Sequence, residues 1–139
     1  MPVIPVQSIG WSFLATSGLT LTNFSSTDDV VYTSDRVPYG HIGKVTDFGI
    51  IFNTAGGSVY ITRVMSSGSE IRITGNISAT ATGLGSITLN EGEKLRCRIG
   101  STGSGVISLY DDGYLEDKVQ ARDMFPNIVG TDITRRGGF

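Results

Sequence analysis

Hydrophobic and polar residues alternate along much of this chain, as expected for β-strands that bury one face and expose the other. In EIRIT, for example, Ile71 and Ile73 fall on one side and the polar residues fall on the other. About eight short strands of this kind are predicted, with a turn signal every 8–12 residues. These strands are expected within nine candidate segments, which are 11–15, 19–24, 30–33, 44–53, 58–65, 70–75, 87–90, 93–100 and 105–113.

This spacing predicts an all-β fold, a single antiparallel β-sandwich or jelly-roll-like domain with two sheets of about four strands. No helical pattern of 10–15 residues separates the strands, which argues against a parallel α/β fold. Composition agrees, because 19 of the 139 residues are glycine, about twice the typical share of ~7%. One domain over residues 11–117 accounts for the pattern.

Two connections are predicted from local signals. The strands at 44–53 and 58–65 flank Thr-Ala-Gly-Gly, and this arrangement predicts a hairpin in whose first strand Phe48, Ile50 and Phe52 share one face. Residues 76–86 are small and polar with two glycines, so they are predicted to form a flexible loop.

The two ends of the chain differ from this domain. Residues 1–10 are predicted to form an extended N-terminal arm, because proline fixes φ and removes a hydrogen-bond donor. Residues 118–139 are predicted to form a C-terminal arm, with a helical turn or two before Pro126. The residues predicted to bind partners are Pro2, Val3, Ile4, Pro5, Arg135, Arg136 and Phe139.

Charge and cysteine content exclude several classes of protein. The net charge of −2 does not suggest a global nucleic-acid binder. The single cysteine, Cys97, excludes an intrachain disulfide and a thiolate zinc cage. The N-terminus lacks the pattern of a signal peptide, and no apolar run reaches the length of a membrane span. We therefore expect synthesis in a cytoplasm and no membrane partner.

The most charged strand is KLRCRIG, in which Lys94, Arg96 and Arg98 alternate with apolar residues. These cations are interpreted either as the solvated face of a strand or as a binding surface. A binding surface requires neighbouring strands to add cations, and Arg72 and Arg63 are the candidates. An acidic partner surface is then favoured over nucleic acid, because no aromatic residues interleave with the charges.

Other candidate chemistry is weak. The carboxylates Asp111, Asp112, Glu116 and Asp117 lack the spacing of a calcium loop, and Asp-Asp-Gly is ordinary turn chemistry. A glycosidase pair among them is not indicated by their spacing. A sugar-binding platform is an alternative interpretation of five aromatic residues, which are Trp11, Tyr39, Tyr60, Tyr110 and Tyr114.

The only histidine, His41, has Ser34 and Asp35 nearby in sequence but no nucleophile elbow. Cys97 is predicted to be a small core residue rather than a reactive thiol. The sequence therefore predicts no catalytic residues, no metal ligands and no cofactor.

Four segments resemble, in order, a recurrent small β-sandwich of tailed-bacteriophage virions. They are VYTS at 31–34, GKVTDFGIIFNTAGGSVYITRVM at 43–65, SITLNEGEKLRCRIG at 86–100 and GVISLYDDGYLED at 105–117. In such proteins a Lys-Val-Thr strand leads through an Asn-Thr turn into a strand of alternating Val, Ile and Thr. A later Leu-x-x-Gly-Glu/Asp turn, here at 89–93, enters the strand before the last hairpin. The loop at 34–43 is longer than in the family, and the arms have no clear counterpart.

The resemblance implies a noncatalytic structural virion protein, most specifically a capsid cement or decoration protein. Such a protein self-associates and binds other virion proteins, such as the major capsid protein. The alternatives are a neck or tail component and a receptor- or carbohydrate-binding module of a tail fibre. We expect a homo-oligomer, with a trimer suited to the threefold points of a capsid, no nucleic-acid partner, and location in the virion.

Overall fold

The structure, a computed structural model, describes residues 8–117. This part of the chain forms nine strands and a single turn of 3-10 helix, Leu21–Asn23, without any α-helix. The strands are β1 Ser8–Gly10, β2 Thr16–Thr20, β3 Val30–Thr33, β4 His41–Thr54, β5 Ser58–Val64, β6 Glu70–Arg72, β7 Ile87–Leu89, β8 Lys94–Ser101 and β9 Val106–Asp117. The predicted all-β class is confirmed.

The strands form two antiparallel sheets that pack face to face. In the first, called the β9 sheet, β9 pairs with β1 and β2 on one side and with β4 on the other, and β4 also pairs with β7. In the second, called the β8 sheet, the strand order is β3-β8-β5-β6. The predicted antiparallel sandwich is therefore confirmed, and the chain passes repeatedly from one sheet to the other.

The core lies between the sheets and is built from the apolar positions of the alternating strands. Leu95, Cys97 and Ile99 are fully buried on β8, as their alternation predicts. Ile107 and Leu109 face them from β9. Each fully buried aliphatic side chain contributes roughly 1.5–3 kcal/mol, so the shared core holds the two sheets together.

The predicted hairpin between β4 and β5 is wrong, because these strands belong to different sheets. Residues 55–57 cross from the β9 sheet to the β8 sheet, and residues 102–105 cross back beside them. The two crossovers touch through their backbones, with the Gly105 N–H donating to the Gly56 carbonyl at 2.8 Å. A glycine-rich segment such as Thr-Ala-Gly-Gly occurs in crossovers between sheets as well as in hairpins, so it could not distinguish the two.

The predicted strand at 11–15 is also wrong. Phe13 and Leu14 are buried there, but their backbone N–H groups donate to the carboxylate of Asp111 at 2.8–3.0 Å. A side chain of β9 thus supplies the acceptors that a neighbouring strand would have supplied. The next predicted strand is displaced, since β2 starts at Thr16 and the chain enters the 3-10 turn at Leu21.

The segment 76–86, predicted to be a flexible loop, is held by hydrogen bonds to both sheets. Ile77 exchanges backbone hydrogen bonds with Val59 of β5, and Ala81 exchanges them with Ile50 of β4. The segment therefore closes one open side of the sandwich. Its small polar residues gave no periodic signal, because it bonds through its backbone rather than by burying one face.

The two ends of the described chain lie side by side. Ser8 of β1 is the register partner of Glu116, and His41 of β4 is the partner of Asp117. The last three residues of the predicted N-terminal arm are therefore part of the β9 sheet. The predicted C-terminal arm lies outside the described residues.

Candidate interaction surface

The outer face of the β8 sheet carries the three alternating cations. Since Leu95, Cys97 and Ile99 point into the core, Lys94, Arg96 and Arg98 point outward. Strand pairing places Tyr60, Thr62 and Val64 opposite these cations, and β6 adds Glu70 and Arg72. We call this surface the basic face, and its members are Tyr60, Thr62, Val64, Glu70, Arg72, Lys94, Arg96 and Arg98.

Glu70 is the centre of the basic face. Its carboxylate accepts two hydrogen bonds from Arg98, at 2.6 and 2.9 Å, and one from Arg96 at 2.9 Å. The Thr62 hydroxyl donates a further bond at 2.7 Å. The Arg98 hydrogen bonds, together with those of Thr62 and the nearby guanidinium charges, lower the pKa of Glu70 to about 2. The carboxylate is therefore ionised at neutral pH and joins β6 to β8 across β5.

Tyr60 links the basic face to the turn before β3. Its hydroxyl donates to the carboxylate of Asp28, and the Arg72 guanidinium lies 3.6 Å from the ring centroid. Burial, and then the hydrogen bond to Asp28, raise the pKa of Tyr60. Arg98 also donates to the Asp28 carbonyl at 2.6 Å. Arg96 and Arg98 thus donate hydrogen bonds to acceptors of the protein itself.

Two cations of the basic face lack a carboxylate partner in the part of the chain that the structure describes. Lys94 makes no ion pair there, and Arg72 contacts the neutral side chains of Asn76 and Tyr60. The face therefore combines a neutralised network with free positive charge. Of the two candidate cations, Arg72 joins the alternating row on this face, and a binding role for the face stays a prediction.

Arg63 does not join this face. It points toward the open edge of the sandwich, where its guanidinium donates two bonds, at 3.0 and 2.6 Å, to the buried carboxylate of Glu93. Glu93 also accepts a bond from the Asn90 N–H at 3.0 Å. A shallow cleft of about 420 Å³ lies beside this pair, between Phe48 and Leu84. The pair fixes the turn before β8.

The predicted carboxylate cluster is divided between two sides of β9. Asp111 points inward, where it binds the Phe13 and Leu14 N–H groups and the Ser12 hydroxyl. Asp112 is exposed on the outer face of the β9 sheet, on the same side as Glu116. In the described range, no three His, Cys, Asp or Glu residues are grouped closely enough to hold a metal ion.

The outer face of the β9 sheet is acidic. Asp47 of β4 is the direct register partner of Asp112. Among residues 8–117, the side chains of Asp47, Asp112 and Glu116 make no hydrogen bond or ion pair. Lys44 is the one cation of this surface within that range. We call the surface formed by Asp47, Asp112, Glu116 and Lys44 the acidic face.

A rigid turn presents Tyr39 to solvent. The His41 N–H donates to the Pro38 carbonyl at 3.2 Å, and Gly40, with φ +84°, donates its N–H to the Glu91 carboxylate at 2.6 Å. This is the geometry of a type II turn, which favours glycine at its third position. Tyr39 is 92% exposed at the tip. Tyr39 was predicted only as one of five aromatic residues of a sugar-binding platform, although the segment Pro-Tyr-Gly also indicates a turn.

The residues considered for nucleophilic chemistry are used elsewhere. The Ser34 hydroxyl donates to the Asp35 carbonyl at 2.8 Å and accepts from the Leu95 N–H at 3.0 Å. The Nδ1 atom of His41 lies 3.2 Å from the Tyr39 carbonyl. Cys97 is fully buried, and burial raises the pKa of its thiol to about 12. The predicted role of Cys97 as a core residue is confirmed.

The five aromatic residues do not meet in one platform. Trp11 packs edge-to-face against Phe13, with ring centroids 6.2 Å apart. Tyr60 lies on the basic face, whereas Tyr110 and Tyr114 lie on the outer side of the other sheet. Tyr39 stands apart on its turn.

The residues predicted to bind partners, which are Pro2, Val3, Ile4, Pro5, Arg135, Arg136 and Phe139, lie outside the described residues. Within residues 8–117 there is no helix of the length and hydrophobicity needed to cross a membrane. No protein-family model, curated protein or solved structure matches the chain.

Proposed function

We propose that this chain is a noncatalytic structural protein of a tailed-bacteriophage virion, most specifically a capsid cement or decoration protein. In this proposal the sandwich attaches to other virion proteins through one end. The sequence resemblance supplies the family. The observation that carries the mode of attachment is that both ends of the described chain and the exposed Tyr39 share one end of the sandwich.

Strand register supports this shared end. Ser8 and Glu116 are neighbours across β1 and β9, and Asp117 is the neighbour of His41. Tyr39 precedes His41 by two residues. Both ends of the described chain, Ser8 and Asp117, therefore lie at the same end of the sandwich as an exposed aromatic side chain. One docking event can engage all three.

Tyr39 is suited to act as an anchor. Tyrosine is enriched among the residues that dominate binding energy at protein interfaces. The turn is already fixed by the Gly40 and His41 hydrogen bonds, so little backbone entropy is lost when the side chain is buried by a partner. A neck, tail or fibre component could use the same anchor, and those alternatives differ from a cement role in where the protein lies in the particle.

The first test locates the protein in phage particles. The particles are purified from a lysate of a culture that produces the protein, and they are labelled with an antibody raised against the purified chain. We expect gold label on intact particles, distributed over the capsid surface for a cement protein. Label confined to the neck, tail or fibre would move the protein to the corresponding alternative. Particles without label, and without peptides of this chain in mass spectrometry, would exclude a virion role.

Tyr39→Ala tests the docking end. Removal of an anchor of this kind typically costs at least ~2 kcal/mol, so we expect roughly a 30-fold or greater loss of affinity for particles that lack the protein. The thermal midpoint should not change, because Tyr39 is 92% exposed. Thr102→Ala, an exposed change at the opposite end of the sandwich, is the matched control. Equal binding by both variants would show that this end is not the docking end.

A further inference from the structure

The acidic and basic faces lie on opposite sides of one molecule, and we infer that they bind each other between two copies of the chain. The basic face of one copy stacks on the acidic face of the next. This inference deepens the self-association in the proposed function and rests on that part of it alone. It does not require the protein to be part of a virion.

The acidic face contains a pair of charges that the fold does not explain. Like charges directly opposite on neighbouring strands destabilise a sheet, and Asp47 and Asp112 are such a pair. Neither side chain has a hydrogen bond or ion pair among the described residues. A positively charged partner removes this repulsion, so the pair is accounted for by a contact made outside the monomer.

The basic face offers the matching charge. Lys94 and Arg72 have no carboxylate partner within residues 8–117, while Arg96 and Arg98 are held in place by Glu70. Lys94 and Arg72 are two strands and two residues apart, or about 12 Å at ordinary strand spacing. Asp112 and Glu116 are four residues apart along β9, or about 13 Å. The spacing of the free cations therefore matches that of the carboxylates.

A second copy is favoured over a different partner because both halves of the complementary pair are present in this chain. Contacts between two different faces are heterologous, and they produce a closed ring or an open chain of subunits. Electrostatic complementarity of this kind sets orientation and is weakened by salt. The expected product is a weak, salt-sensitive association of defined register.

The first experiment measures the mass of the full-length chain by sedimentation equilibrium over a range of protein concentration. We expect concentration-dependent association at about 20 mM salt and monomer at about 500 mM salt, where charges are screened within a few ångströms. Asp112→Lys and Lys94→Glu should each lower the association constant by at least tenfold. Asp35→Lys, which reverses an exposed carboxylate outside both faces, should leave it unchanged.

Misfolding is distinguished from loss of contact by measuring stability. Asp112→Lys replaces the repulsive pair with an attractive one, so its unfolding midpoint should be equal to or higher than that of the original chain. Association is therefore expected to weaken without any loss of stability. A loss of association together with a lower midpoint would contradict the inference.

The decisive experiment mixes the two variants. Lys94→Glu keeps an intact acidic face, and Asp112→Lys keeps an intact basic face, so one unaltered interface remains between them. We expect each variant alone to be monomeric and their mixture to form a dimer through that unaltered interface. No dimer in the mixture, or a monomeric original chain at all salt concentrations, would overturn the inference. If the dimer forms but particles never contain the protein, the virion proposal fails and the stacking inference stands.

Discussion

At the scale of single residues, one carboxylate, that of Glu70, binds two of the three cations on the outward side of β8. Glu70 accepts hydrogen bonds from Arg96, Arg98 and Thr62, and so converts a row of like charges into a connected network. The exposed part of this carboxylate is about a fifth of its side chain. Its contribution is therefore greater than that of a fully solvated ion pair, for which ~0–1 kcal/mol is typical.

Glu70→Gln should lower the free energy of unfolding at pH 7 by roughly 2 kcal/mol, because it leaves two arginines without their shared partner. The pKa of Glu70 is about 2 in the folded protein, below its ordinary value of 4.5. The stabilisation is thus fully present above about pH 4.5 and is lost as pH falls toward 2.

Denaturant titrations at several pH values check this prediction, with Asp35→Asn as the exposed control. The difference between the original chain and Glu70→Gln should shrink steadily between pH 5 and pH 2. A difference that stays constant over that range would show that the loss comes from packing and not from the charge of Glu70.

At the scale of elements, the two crossovers at one end of the sandwich depend on close backbone contact. Residues 55–57 and 102–105 approach so closely that a Cβ atom on Gly103 would overlap the backbone of Gly57. Because backbone atoms lie on both sides of the contact, neither crossover can move away without disturbing the strand that follows it. The contact fixes where β5 and β9 begin.

Gly103→Ala should therefore destabilise the protein by about 2 kcal/mol or more, as overpacking does in a close-packed site. Gly75→Ala is the matched control, since a Cβ atom there meets nothing within 4 Å. Thermal unfolding of both variants checks the prediction. Similar midpoints for the two would mean that the crossovers can separate at little cost.

The sequence predicted the strands whose side chains alternate and failed where the backbone bonds in another way. The buried positions of β8 follow from period 2 alone, as do those of the β4 residues Phe48 and Ile50. The segment at 11–15 is similarly apolar, but its backbone bonds to the Asp111 side chain. Nothing local distinguishes a side-chain acceptor almost one hundred residues away from a neighbouring strand.

The sequence could predict the part of the basic face that lies on β8, but not the residues that neighbouring strands add, because these depend on how the strands pair. Alternation placed Lys94, Arg96 and Arg98 on one face, and the β5–β6 pairing then decided that Arg72 joins them while Arg63 does not. Pairing depends on contacts distant in sequence, so neither residue could be assigned beforehand. The acidic face was missed for the same reason, because Asp47 and Asp112 meet only once β4 and β9 pair.

At the scale of the whole molecule, the core and all nine described strands lie between Ser8 and Asp117. The fragment 8–117 should therefore fold by itself, with one cooperative thermal transition and a β-type circular dichroism spectrum. Its midpoint should lie within a few degrees of that of the full chain. A fragment without a cooperative transition would show that the predicted arms contribute to the fold and do not serve binding alone.

The position of β9 also has a consequence for how the protein is made. This strand pairs with β1, β2 and β4, yet it is the last of the described strands to be synthesised. Until β9 has left the ribosome, β4 lacks its main neighbour. The Asp111 carboxylate, which accepts hydrogen bonds from the Phe13 and Leu14 N–H groups, is then also missing. The described sandwich is therefore completed only after β9 has been translated, and a nascent chain arrested before Val106 has no β9 sheet to close.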